Sequence, residues 1–101
     1  MSRYQRVWVD EARMRELFEE AGCLEPEEHG YTVIPEPGGE PGPNAPEDAV
    51  ISRMVLYFDR FGKPIAAAHE YLREDRSIAA SGKRDPKRIT IGNKQYVLMK
   101  S

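Results

Sequence analysis

The fold of this chain is decided by one stretch near its middle, Val50-Ile-Ser-Arg-Met-Val-Leu-Tyr-Phe-Asp-Arg-Phe-Gly-Lys-Pro-Ile-Ala-Ala-Ala-His-Glu-Tyr-Leu72. Residues 50–58 are rich in β-branched and aromatic side chains, which is typical of a strand, and residues 65–72 follow as a second strand. Between them, Asp59 stands three residues before Gly62, as in a type I turn closed by a left-handed glycine. The stretch therefore predicts a β-hairpin.

Pairing the two strands about this turn predicts which side chains share a face. The pairing places Arg53 beside His69. Because side chains alternate across a sheet, one face is predicted to form the core and the other to meet a ligand. The predicted core face consists of Val50, Met54, Leu56, Phe58, Ala66, Ala68 and Leu72. The predicted ligand face consists of Ile51, Arg53, Val55, Tyr57, Ile65, Ala67, His69, Tyr71 and Arg73.

A helix and a second hairpin complete the predicted fold. Residues 10–22 have apolar side chains at three- and four-residue spacing, with Asp10 able to cap the first turn and Gly22 able to end the last. Residues 88–98 form two strands about Gly92-Asn93, the type II′ pattern. The sequence predicts an α+β protein with one N-terminal helix packed on a small antiparallel sheet of about four or five strands. All 101 residues are expected to form a single domain.

The segment between the helix and the first hairpin has a different composition. Residues 25–48 contain six Pro, four Gly, seven acidic residues and no Lys or Arg. Residues 31–34 are predicted as one short strand, and the prolines and glycines that follow have no apolar periodicity. We predict a long flexible acidic loop, either disordered or able to close over a basic site as a lid.

The composition and the distribution of charge exclude some classes of protein and favour others. The net charge is −2, with four basic and twelve acidic groups in residues 1–50 against eleven basic and five acidic groups in residues 51–101. This division favours an anionic partner for the second half, although the two halves could instead neutralise each other on the surface. No stretch approaches the ~18 apolar residues of a membrane span, and Cys23, the single cysteine, excludes an internal disulfide. We expect a cytoplasmic protein without a membrane partner.

The second half also contains two motifs. His69-x-Tyr71-Leu72-Arg73 is followed by Ser81-Gly82-Lys83-x-Asp85-Pro86-Lys87. This half resembles a group of short prokaryotic proteins of uncharacterised function in which such a strand precedes such a loop and a closing hairpin. The resemblance covers roughly the last half of the chain and implies no particular activity.

An anion site is predicted around the loop of the second motif. A P-loop is excluded, because Ser77 and Arg84 stand where that motif requires a glycine and a Ser or Thr. Gly82 can nevertheless adopt a positive φ that turns successive N–H groups toward an anion. The candidate binding residues are Arg53, Tyr57, Tyr71, Arg73, Ser81, Gly82, Lys83, Arg84, Lys87 and Arg88. The alternative is a solvated basic loop that binds nothing specific.

His69 is the candidate catalytic residue. With Arg53 beside it, the imidazole could act as a general base on a phosphodiester, as in metal-independent ribonucleases. A single histidine without a second acid–base group is better explained as a partly buried imidazole hydrogen-bonded within the sheet. The sequence has no paired His or Cys spacing, so we expect no metal and no cofactor.

Three classes of function follow, in order of preference. The first is a small module that binds nucleic acid, RNA above all, or another phosphorylated ligand through its basic C-terminal half. The alternative is a protein-interaction or regulatory module of the inhibitor type, whose partner is another protein or a second copy in a homodimer. The third is a metal-independent, ribonuclease-like enzyme.

Overall fold

The described part of the chain forms a single six-stranded sheet with one helix. The computed structural model describes residues 4–99. The elements are β1 (Gln5–Val9), α1 (Glu11–Glu20), β2 (Thr32–Pro35), β3 (Ile51–Phe58), β4 (Pro64–Leu72), β5 (Asp85–Ile91) and β6 (Lys94–Leu98). The strand order is β1-β6-β5-β4-β3-β2, and every neighbouring pair is antiparallel except β1 and β6, which are parallel.

The α+β class is therefore confirmed, but the strand count and the sheet type differ from the prediction. Within residues 4–99 the sheet has six strands rather than four or five, because residues 5–9 were not predicted as a strand; they form β1, which lies just before the helix. Its parallel pairing with β6 makes the sheet mixed rather than antiparallel. The helix α1 connects β1 to β2, which lie at opposite edges of the sheet. Such a crossover connection allows β1 to run parallel to β6.

The helix forms for the reasons that its sequence suggests. The Asp10 carboxylate accepts a hydrogen bond of 2.8 Å from the Arg13 N–H, and Gly22 follows the helix with φ of 83°. Met14, Leu17 and Phe18 are buried, so the predicted apolar stripe does face the core. This stripe packs against β5 and β6 on one side of the sheet. No helix within residues 4–99 is long and apolar enough to cross a membrane.

Both hairpin turns are confirmed. Asp59 accepts hydrogen bonds from the Phe61 and Lys63 N–H groups, and Gly62 has φ of 83°. In the second hairpin, Ile91 pairs with Lys94, so the turn consists of Gly92 and Asn93, and Gly92 has φ of 60°. The turn residues thus place the chain reversals correctly.

The predicted register of the first hairpin is wrong by one residue. Phe58 pairs with Pro64 but Tyr57 pairs with Ala66, so Ile65 is an extra residue opposite no partner. Such a bulge shifts every later pair, and a one-residue shift moves a strand's side chains to the other face. Arg53 consequently pairs with Glu70, not with His69.

The two faces of the sheet therefore have a different composition from the predicted one. We call the side that α1 covers the helix face and the other side the open face. The core on the helix face consists of Met14, Leu17, Phe18, Cys23, Val55, Tyr57, Ala66, Ala68 and Ile89. The register places Ser52, Met54, Leu56, Phe58, Ala67, His69 and Tyr71 of the first hairpin on the open face. Met54, Leu56 and Phe58, predicted as core, are thus on the opposite side from the helix.

Strand β5 begins earlier than predicted. The sequence placed its start at Arg88, whereas the strand begins at Asp85 and includes Pro86. A second bulge lies where Pro86 enters the sheet: Ala67 of β4 pairs with Arg88 and Ala68 pairs with Pro86, so Lys87 is an extra residue of β5. A proline is tolerated there because a bulge interrupts the regular hydrogen bonds of the ladder.

The acidic segment has several contacts with the sheet. Its predicted short strand is confirmed as β2, which pairs with β3. Gly39 forms an isolated bridge with Ser52, and Asp48 forms an ion pair with Arg73 at the end of β4. The flexibility of residues 25–48 stays a prediction.

Candidate functional site

The predicted binding and catalytic residues do not form one site; the structure divides them among four places. Arg53, Tyr57 and Arg84 belong to the helix face, where they surround Glu70. Arg73, Ser81, Gly82 and Lys83 belong to the loop between β4 and β5. Tyr71, Arg88 and His69 lie on the open face. Lys87 lies apart from these groups, as the bulged residue of β5.

Glu70 is the centre of a buried ionic network. Its side chain is 1% exposed, and its two oxygens accept hydrogen bonds of 2.7 Å from Arg53 Nε and 2.8 Å from Arg84 Nε. Arg84 also donates from Nη1 to the Tyr57 hydroxyl at 3.1 Å. Burial alone would raise the pKa of Glu70, but the two guanidinium hydrogen bonds outweigh it and lower the pKa below 4.5. The network is therefore a structural ion cluster in which all three charges are engaged.

Sequence reasoning missed Glu70 because the wrong register separated it from Arg53. The strand sequence itself indicated a buried charge, because the acidic Glu70 follows Ala66, Ala68 and the other small residues of an apolar run. A carboxylate at such a position needs a cationic partner. Arg53 and Arg84 were the available partners; the network takes Arg53 off the predicted ligand face and engages Nε and Nη1 of Arg84.

The loop between β4 and β5 also uses its polar groups internally. The Arg73 guanidinium binds Asp48, the Ser77 hydroxyl at 3.1 Å and the Ile78 carbonyl at 3.0 Å. Gly82 has the predicted positive φ of 74°, but its N–H donates to the Ala79 carbonyl at 3.4 Å. The Gly82 N–H is therefore engaged within the loop rather than free for an anion, and the anion site around it stays a prediction.

His69 is separated from the groups that a nuclease arrangement requires. Its Nε2 lies 2.6 Å from the Ser52 hydroxyl, and its ring meets Tyr71 edge-on with 4.6 Å between centroids. Burial, with a smaller effect from the Lys87 charge, lowers the pKa of His69 and so favours the neutral imidazole. Arg53 and Tyr57 lie on the other side of the sheet. The predicted grouping of His69 with these two residues is wrong, and the reason is the bulge at Ile65.

The open face presents one continuous row of side chains across all six strands. Successive registered pairs give the row Trp8, Val97, Arg88, Ala67, Leu56 and Ile34. Five strand spacings of about 4.8 Å make the row about 24 Å long. The residues at its two ends, Trp8 and Ile34, are 56% and 48% exposed. Arg88 stands exposed near its middle and forms no ion pair with any residue between 4 and 99.

The strand residues of the open face carry more basic than acidic groups. Arg6 pairs in register with Gln95, next to Trp8, and so adds a second exposed guanidinium to this face. Among the described strand residues that pair with this face, Asp85 is the one carboxylate, but it stands at the start of β5 and reaches the helix side, where it bonds to Arg15 of α1 at 2.9 Å. The face thus combines apolar, aromatic and cationic groups. Trp8 and Arg6 were missed because β1 was missed.

Two further observations bear on the site. Among residues 4–99, no group of three or more His, Cys, Asp or Glu side chains is arranged to hold a metal ion. Comparison with profiles of known protein families, with curated proteins and with solved structures finds no match to this chain.

Proposed function

We propose that this protein binds single-stranded nucleic acid on its open face. The observation that supports the proposal is the row from Trp8 to Ile34, which has exposed apolar ends, an unpaired arginine at its centre and no helix over it in the described chain. A sheet face that a protein leaves without a covering layer is commonly an interaction surface, because apolar side chains there gain from burial.

The side chains of this face suit unstacked bases. Single-stranded binders combine cationic groups, which track the phosphates, with aromatic rings on which bases stack. Trp8 and Tyr71 supply rings, and Arg88 and Arg6 supply the charges. A row about 24 Å long offers space for several nucleotides of an extended strand.

The distribution of charge supports an anionic partner even though the whole chain is acidic. Net negative charge ordinarily opposes binding to nucleic acid. Here the helix acids, among them Glu16, Glu19 and Glu20, lie on the opposite side of the sheet from Arg88. Charges separated by more than a Debye length of about 8–10 Å are largely screened at physiological salt.

The test is fluorescence polarisation with a labelled single-stranded RNA of about eight nucleotides, at two salt concentrations. DNA of the same sequence and the corresponding duplex form two further arms. Trp8→Ala is expected to weaken binding about tenfold, since one stacked base contributes about 1–3 kcal/mol. Arg88→Ala is expected to reduce the slope of log K against log salt by about 0.7, the value for one phosphate on a single strand.

Lys94→Ala is the matched control, because Lys94 is exposed but registers onto the helix face. It should leave both the affinity and the salt slope close to those of the unchanged protein. Absence of binding at low salt would overturn the proposal. A loss of RNA affinity in Lys83→Ala but not in Arg88→Ala would also overturn it, because the binding site would then be the loop before β5. Concentration-dependent dimerisation without RNA binding would instead identify the open face as a protein interface.

A further inference from the structure

A separate cleft lies on the helix side of the sheet. It is about 420 Å³ in volume and opens between α1 and the loop that leads into β5. This volume is within the range of about 300–1,000 Å³ that is typical of small-molecule pockets. Its apolar wall comes from Phe18, Cys23, Leu24, Ile78 and Pro86. Burial raises the pKa of the Cys23 thiol to about 12, so the thiol stays uncharged and belongs to the apolar wall.

The polar lining of the cleft is mostly cationic. Arg15, Lys83 and Arg84 contribute positive charge, and Glu19 is the one carboxylate among the described lining residues. Arg15 is already engaged by Glu11 and Asp85, whereas Lys83 forms no ion pair within residues 4–99. The cleft therefore places Lys83 and the guanidinium of Arg84 beside an apolar wall.

Arg84 is held in place at the edge of this cleft. Its Nε donates to Glu70 and its Nη1 donates to the Tyr57 hydroxyl, which fixes the plane of the guanidinium. Its Nη2 has no hydrogen-bond partner in the part of the chain that is described, and Arg84 lines the cleft. A guanidinium fixed in this way loses little further freedom when an anion binds, which favours affinity.

We propose that this cleft binds a small amphipathic anion, a molecule with an apolar body and one anionic headgroup. The body would lie against Phe18 and Leu24, and the headgroup would bind Lys83 and the free Nη2 of Arg84. The proposal does not depend on nucleic-acid binding, because the cleft and the open face are on opposite sides of the sheet.

The test is isothermal titration calorimetry of the full chain with octanoate and with octyl phosphate, which share a body and differ in the headgroup. Octanamide, with the same length and no charge, is the neutral comparison. Binding of either anion at least tenfold tighter than octanamide is expected. Lys83→Ala should weaken that binding about fivefold, as for one partly exposed charged contact, and Lys94→Ala should not change it.

Two outcomes would overturn the proposal. One is failure of both anions to bind at millimolar concentration. The other is equal binding of octanamide, or an equal effect of Lys83→Ala and Lys94→Ala, either of which would show that the cationic rim does not select the ligand. A saturating anion that leaves the RNA titration unchanged would show that the two sites are separate, so that failure of one proposal is distinguishable from failure of the other.

Discussion

Replacing Glu70 with Gln is the sharpest perturbation of this fold. The substitution preserves the shape of the side chain but removes the charge that holds Arg53 and Arg84 together. Glutamine also places an NH2 group against one guanidinium, where no acceptor remains for it. We therefore expect Glu70→Gln to fold but to lose a large part of its stability.

The magnitude follows from the burial of the three groups. Removing one partner of a buried ion pair costs about 3–5 kcal/mol, because the other charge stays buried without compensation. Here the Arg53 and Arg84 side chains remain 22% and 32% exposed, so water can partly solvate them, and we take the lower end, about 3 kcal/mol. For a domain of this length, such a loss lowers the Tm by about 12–24 °C.

The assay is urea unfolding followed by circular dichroism, with the midpoint and slope both fitted. Glu74→Gln is the matched control, since Glu74 is exposed in the loop after β4 and should change the free energy of unfolding by less than about 0.5 kcal/mol. A Glu70→Gln variant within about 1 kcal/mol of the unchanged protein would refute the reasoning. Replacing Glu70, Arg53 and Arg84 together with apolar residues should recover much of the loss, because no buried charge is then left alone.

Three other outcomes are expected. Folding lowers the pKa of Glu70 below 4.5, so its charge stabilises the protein fully above pH 4.5, and this stabilisation is lost as the pH falls through the folded-state pKa. The difference in urea midpoint between the unchanged protein and Glu70→Gln should therefore become smaller in acid. Cys23, buried and with its pKa raised to about 12, should react with iodoacetamide at pH 8 far more slowly in the native protein than in urea, and equal rates would contradict its burial. Gly38→Ala should destabilise the protein by more than 1 kcal/mol in the same unfolding assay, because Gly38 has φ of 78° and an added Cβ would lie 2.6 Å from the Arg53 Cβ. Gly39→Ala, where the added Cβ meets nothing within 4 Å, should be nearly neutral by comparison.

The features that could be predicted from the sequence depend on a few neighbouring residues. The cap at Asp10 and the turn at Asp59 were predicted correctly, because each is a hydrogen bond between groups within four residues of each other. The apolar stripe of α1 was also correct, since its spacing is set by the helix geometry alone. The single helix and the antiparallel hairpins followed from these local rules.

The candidate site could not be predicted in the same way. The bulge at Ile65 decides which side of the sheet Arg53 occupies. The residue types of the turn do not predict that bulge. The row from Trp8 to Ile34 depends on β1 joining the far edge of the sheet, about ninety residues away in sequence from its partner. Both are relations between distant segments.

Sequence alone thus determined the class of fold, the position of the helix and the two chain reversals, because local hydrogen bonding and side-chain periodicity are sufficient for them. Tertiary structure alone decided which functional groups meet. Side chains alternate with a period of two along a strand, so one unpaired residue exchanged the faces of β3 and moved Arg53 and Tyr57 away from His69. The same exchange joined Arg53 to Glu70.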